Sequence, residues 1–178
     1  MKAENPIIEA IKKRRSIRQF AREPVSDEDL NRILESGLWA LSGKNNQPWK
    51  FPVIRDPNLR GSLPTFTHYS SIIENAPVCI AVFSDHLRVY DRTKDVQAVG
   101  ASIQNMLLTI HTMELGGVWL GEILKYKEQV GELLRVDKDL EWMAVVALGH
   151  PNGRALGSAI RDKPGKRDRL GERVFLRK

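Results

Sequence analysis

The sequence has one cysteine, Cys79, among 178 residues. That excludes an internal disulfide framework. No apolar run approaches the roughly 20 residues that a membrane-spanning helix needs. The N-terminal segment from Met1 to Pro6 contains an acid and no apolar signal region, so a cytoplasmic protein is expected. G-x-G-x-x-G, Walker, C-x-x-C and H-E-x-x-H motifs are all missing. His68, His86, His111 and His150 are scattered without ligand spacing, and no metal site is expected. Cys79 lies within the apolar run Pro77 to Phe83 and reads as a small buried hydrophobe rather than a reactive thiol.

What is present is an ordinary globular balance, 42% hydrophobic and 28% charged, and a length that suits one domain with a substantial core. The formal charge is +6. The excess falls into two clusters. One is Lys12, Lys13, Arg14, Arg15, Arg18 and Arg22. The other is Arg154, Arg161, Lys163, Lys166, Arg167, Arg169 and Arg173. Such clusters suit one bound phosphate or an external nucleic-acid surface, and composition does not choose. The nucleic-acid reading lacks stacking motifs and a recognisable reader helix.

Asn5-Pro6 predicts a helix start, with Ile7, Ile8 and Ile11 on one face. Arg14 to Phe20 reads as a loop. Ser26 begins a second helix, whose stripe is Leu30, Ile33, Leu34, Gly37, Leu38 and Leu41. Ser42 to Pro48 is a polar loop, and Trp49 to Ile54 a strand with an edge or bulge at Pro52. Arg55 to Asn58 reads as a turn and residues 59–75 as short helices. Pro77 to Phe83 reads as a buried strand. A long helix is expected from about Asp95, burying Val96, Val99, Ile103, Met106, Leu107 and Ile110, with Gly116 and Gly117 ending it. Val118 to Leu120 and Glu141 to Leu148 read as strands, and Lys127 to Leu134 as a helix between them. The whole is a single α+β domain with no doubly wound βαβ rhythm. Residues 150–173 are polar and end in Val174-Phe175-Leu176, which suggests an arm docking on another subunit.

Three short stretches carry chemistry. Arg14-Arg15-Ser16-Ile17-Arg18-Gln19-Phe20 places three guanidiniums and a hydroxyl within five residues. That set suits a phosphate dianion, because arginine donates paired, charge-assisted hydrogen bonds; a solvated basic turn is the plainer alternative. Ser42-Gly43-Lys44-Asn45-Asn46-Gln47-Pro48-Trp49 is a polar loop in which Gly43 admits close backbone approach to a flat ring. Leu115-Gly116-Gly117-Val118-Trp119-Leu120-Gly121 again sets glycines around a short strand.

In this order the three resemble the motifs of the nitroreductase-like FMN flavoproteins. Arg14 to Phe20 matches that family's Arg-Arg-Ser-x-Arg-x-Phe motif completely, Ser42 to Trp49 its Ser-rich loop ending Asn-x-Gln-Pro-Trp, and Glu114 to Gly121 its Gly-Leu-Gly-x-x-Trp-x-Gly stretch, with Glu114 in place of a glycine. Leu148 to Pro151 and Arg167 with Leu170 continue the match to the tail. The resemblance covers nearly the whole chain.

It implies an α+β nitroreductase-like fold around a central antiparallel sheet flanked by helices. It also implies an intimate homodimer with FMN at the interface and a C-terminal arm, residues 150–178, reaching the partner. Arg14, Arg15, Ser16 and Arg18, with Arg167 from the tail, would hold the phosphate and the ring's polar edge. Ser42 and Gly43 would come from the other subunit. Trp119, Leu120 and Gly121 would line the ring's other side, with a backbone N–H near N5. No side chain is expected to be catalytic, since the cofactor carries the hydride. NADH or NADPH would reduce FMN, and a small electron-poor acceptor such as a nitroaromatic or quinone would follow in ping-pong order. Dehalogenation and flavin fragmentation are the alternatives on the same scaffold. Lys44, beside the ring contacts, is a candidate for a substrate anion, against the plainer reading of a solvated lysine. Glu122 stands where many relatives have glycine and would disfavour acidic acceptors. Only His86 to Lys94 is available for a lid, so an open pocket is expected.

Overall fold

The computed structural model describes residues 5–153 together with Arg167, Asp168 and Arg173. The expected C-terminal arm lies otherwise outside the described residues.

Helix α1, Pro6–Lys13, starts where the sequence places it, with the Asn5 side chain accepting from the Ile7 N–H at 2.9 Å. None of its residues is buried. Helix α2, Asp27–Leu38, is capped by Ser26, whose hydroxyl accepts from the Asp29 N–H at 3.0 Å. Leu30, Ile33 and Gly37 of its stripe are buried, while Leu38 is 50% exposed and Leu41, beyond the helix end, 81% exposed. The inward stripe therefore stops a turn earlier than its periodicity suggests.

The Trp49 to Ile54 strand is split at Phe51-Pro52 into β1, Trp49–Lys50, and β2, Val53–Ile54. Both pair antiparallel with β3, Val78–Asp85, every residue of which is buried. Arg55 to Asn58 is a helix start rather than a plain turn. Asp56 accepts from the Asn58 and Leu59 N–H groups and caps α3, Pro57–Ser62. A 3-10 turn and α4, Ser70–Asn75, follow.

Helix α5, Arg92–Thr112, begins three residues before Asp95, because Asp91 supplies the N-cap to the Lys94 N–H at 3.0 Å. Val96, expected inside, is 37% exposed. Gly116 and Gly117 do not end this helix. Glu114 does, at φ 59°, with Leu115 N–H donating to Ile110 O at 3.0 Å and Glu114 N–H to His111 O at 3.2 Å. That is a left-handed helix stop, normally built on glycine. The two glycines open strand β4, Gly116–Leu120. Helix α6, Lys127–Leu134, and strand β5, Leu140–Gly149, complete the set.

The sheet order is β1-β3-β5-β4, antiparallel throughout, with β2 beside β3. Both faces are covered. Val78, Ile80, Val82, Ala144 and Val146 pack with Ile33 of α2 and Val99, Ile103 and Met106 of α5. Cys79, Ala81, Phe83, Trp142 and Val145 face Ile72 and Ile73 of α4 and Val130 of α6. Burial pushes the Cys79 thiol up to about 12, so the group is inert at neutral pH. Among the described residues, no helix is long and apolar enough to cross a membrane.

Candidate functional site

The turn that follows α1 is fastened to the edge of the sheet. Ser16 bridges Gly117 of β4, and the Ile17 N–H donates to the Gly117 carbonyl at 3.1 Å. Phe20 bridges Pro151, and the Ala21 N–H donates to the His150 carbonyl at 2.7 Å. Gly116 is required at this seam, since a Cβ there would sit 2.6 Å from Ile17 Cγ2.

This anchoring gathers charge. The Arg15 guanidinium folds onto its own turn, donating to the Lys12 and Arg14 carbonyls at 2.7 and 2.9 Å. Arg18 reaches the Ser16 carbonyl at 3.4 Å, and Lys13 pairs with Glu9. Arg14, half-buried, faces no carboxylate among the described residues. Burial, then Arg15, then Arg167 lower its pKa, so the tail arginine lies within electrostatic reach of the turn. On α5, His111 is also lowered, by burial first and then by Arg14, Arg15 and Lys13. A half-buried cluster of like charges attracts anions.

Trp119, Leu120 and Gly121 continue along β4 from that seam. Gly121 lies four residues beyond Gly117, or about 13 Å at strand rise. Leu120 is buried, while Trp119 is 44% exposed and its ring tip faces Gly100 of α5. One edge strand thus joins the anion cluster to an exposed aromatic surface. Glu122 follows Gly121 and is held by neighbours. It accepts from the Thr67 hydroxyl at 2.7 Å and the His68 N–H at 3.0 Å. These bonds, with Lys125, hold its pKa at about 2.

The Ser42 to Trp49 loop lies elsewhere. The Ser42 hydroxyl accepts from the Gln47 N–H at 3.0 Å. Lys44, Asn45 and Gln47 all take positive φ, 53°, 54° and 49°, a conformation that side-chain-bearing residues adopt only under compensation. The compensation is a latch to α5. Asn46 Nδ2 donates to Asp95 Oδ1 at 2.6 Å and to the Arg88 carbonyl at 2.8 Å. The other oxygen of the buried Asp95 accepts from the Tyr90 and Asp91 N–H groups at 3.1 and 3.0 Å. Burial raises the Asp95 pKa, but the bonds from Asn46, Asp91 and Tyr90, with Lys94, outweigh it and the net direction is down. Tyr90 lies on Gly43 so closely that a Cβ there would be 2.7 Å from Tyr90 Cε1. Lys44 Nζ stands 4.8 Å from the centre of that ring.

The chain therefore does not bring all the sequence-derived candidates together. Arg14, Arg15, Ser16, Arg18 and Arg167 gather near the C-terminal end of α5 and the start of β4, with Trp119 to Gly121 further along that strand. Ser42, Gly43 and Lys44 gather at the N-terminal end of α5, beside the opposite sheet edge. His111 and Asp95, which mark the two groups, are sixteen residues apart on one helix, or about 24 Å. The latch and the Tyr90 contact were missed in the sequence. Their only local trace is Asp91, which caps α5 through the Lys94 N–H three residues on.

The profile of the Nitroreductase family matches residues 11–70 and 63–150. A protein of Methanothermobacter thermautotrophicus described as an NADH dehydrogenase/NAD(P)H nitroreductase is 30% identical over 175 residues, spanning 97% of this chain and 87% of its own length. A structure from Desulfovibrio desulfuricans, described as a nitroreductase in complex with FMN, superposes with a TM-score of 0.90 at 42% identity and 99% coverage of both chains. The NADPH:FMN oxidoreductase of Vibrio harveyi complexed with NAD+ superposes with a TM-score of 0.78 at 29% identity, over 83% of this chain and 70% of that one. The profile match spans most of the chain and includes the arginine turn, the Ser42 loop and strand β4: this chain belongs to the nitroreductase family.

Proposed function

We propose that the protein is an FMN-dependent NAD(P)H oxidoreductase that works as a homodimer and reduces electron-poor acceptors such as nitroaromatics or quinones. The observation that carries the reading is the half-buried Arg14, which stands beside Arg15 and Arg167 and faces no carboxylate among the described residues. A phosphate dianion supplies the missing counter-charge, and Arg14, Arg15, Ser16, Arg18 and Arg167 hold it. Strand β4 leads from there to the ring, lined by Trp119, Leu120 and Gly121. Bound FMN supplies the redox chemistry, taking hydride equivalents from NADH or NADPH and passing them to the acceptor.

The homodimer is argued from the surface and from the family resemblance, in which Ser42 and Gly43 reach the ring from the second copy while the arginine turn lies at the other end of α5. Ile7, Ile8 and Ile11 of α1, Leu38 at the end of α2, and Trp39 and Leu41 beyond it are large apolar side chains left open. Exposed apolar side chains in this number suit an interface, and a two-fold pairing makes two equivalent sites.

The protein as purified should be yellow and dimeric. Denaturation should release FMN, and alternate reduction by NAD(P)H and oxidation by acceptor should give parallel double-reciprocal plots. FAD as the main flavin, or a monomer with full flavin content, overturns the reading.

A further inference from the structure

We propose that Lys44 and Lys94 make the acceptor pocket selective for aromatic anions, acceptors that carry a carboxylate or sulfonate on an electron-poor ring. The proposal rests on the reading above, in which Ser42 and Gly43 lie against the flavin ring of a partner subunit.

Two ammonium groups from different elements converge on one aromatic ring. Lys44 Nζ, from the Ser42 loop, lies 4.8 Å from the Tyr90 ring centre, and Lys94 Nζ, from the first turn of α5, lies 5.3 Å from it. Lys94 has Asp91 Oδ2 at 3.7 Å, whereas Lys44 faces no carboxylate among the described residues. Tyr90 is 39% exposed and sits directly on Gly43, so the lysines and the ring belong to the same small surface as the expected flavin contacts.

That surface is held, not loose. Lys44 itself has φ 53°, and the Asn46–Asp95 bond at 2.6 Å fixes the loop to the helix that carries Lys94. A backbone kept in this region for a side-chain-bearing residue marks a position that the surroundings over-determine, as functional sites do. The nearby acids are engaged. Asp95 is the latch and Asp91 caps α5. A neutral acceptor meets only the Tyr90 ring. An anionic one adds attraction to two ammoniums whose cation–π contacts it can replace.

The test uses holoenzyme reduced anaerobically with NADH and mixed with 4-nitrobenzoate or 4-nitrobenzamide, acceptors that differ chiefly in charge. Wild-type protein should favour the benzoate, and about 0.5 M salt should compress the preference. Lys44→Met should lower the benzoate-to-benzamide ratio of kcat/KM about tenfold, the equivalent of removing one attraction of about 1.4 kcal/mol. Lys94→Met, already partnered by Asp91, should lower it less. Arg32→Met, on the exposed face of α2 and paired with Glu28, should leave it unchanged. A wild-type protein with no preference, or a Lys44→Met variant with an unchanged ratio, overturns the proposal while leaving the flavoenzyme reading intact. A Lys44→Met variant altered only in its reduction by NADPH also overturns it, assigning the lysine to the donor's phosphate. A wild-type protein without FMN removes both readings together.

Discussion

The turn after α1 and the loop after α2 are similar in length and polarity, yet they use their polar groups in opposite ways. The turn concentrates guanidiniums, and Arg14 is depressed by burial and by its like-charged neighbours. The loop closes on itself and on α5, so that the Ser42 hydroxyl, the Asn46 Nδ2 and the buried Asp95 all have partners. The first stores unmet attraction for an anion. The second stores geometry, holding three residues at positive φ around Gly43. In the proposed reading, the difference separates the source of cofactor affinity from the source of ring placement, at opposite ends of one helix.

The largest effect should come from breaking the latch. Asp95→Ala strands the Tyr90 and Asp91 N–H groups and Asn46 and should cost about 3–5 kcal/mol, or about 10 °C in Tm for a chain of this size. Calorimetry on the apo-protein checks it, and flavin content should fall as the Ser42 loop relaxes. Next is the turn. Arg14→Ala should weaken FMN binding about ten- to a hundredfold without lowering apo-protein stability, because the cluster is strained by its own charge. Fluorescence titration of apo-protein with FMN reads the first, and thermal melting the second. An unchanged affinity would make the motif an ordinary basic turn.

A smaller effect of opposite sign is expected at the end of α5. Glu114→Gly should stabilise the protein by about 1 kcal/mol, since φ 59° costs a Cβ-bearing residue about that much. Denaturant unfolding measures it. The smallest effect is a pH dependence at Glu122. Its folded pKa of about 2 lies below the ordinary value of 4.5. Its contribution is therefore complete above about 4.5 and lost as pH falls towards 2. The Tm difference between wild type and Glu122→Gln should be present at neutral pH and close across that window.

What the sequence made legible was local. Asn5-Pro6 and Ser26 mark helix starts through their own caps, and the run Pro77 to Phe83 has the length and apolarity of a strand buried on both faces. The arginine turn was legible as a cation cluster because Arg14, Arg15 and Arg18 fall within five residues. The stop of α5 was misread because the Gly116-Gly117 pair is a stronger local signal than Glu114, and only the packing of Ile17 against Gly116 explains the glycines. Leu38, Leu41 and Val96 were expected inside because periodicity marks an apolar face without marking where its burial ends. The Asn46–Asp95 bond joins residues 49 apart, and no local pattern announces it.

The central claim is that each site takes its anion clasp from one chain and its ring loop from another. It is tested most directly by co-expressing an Arg14→Ala chain with a Gly43→Val chain, each bearing a different tag, and isolating the heterodimer through both tags. One of its sites then carries both substitutions and the other carries neither. The account predicts about one FMN bound tightly per heterodimer, half the wild-type content, with each homodimeric variant well below that. A heterodimer as flavin-poor as the homodimers would contradict it, because each site would then be built within a single chain.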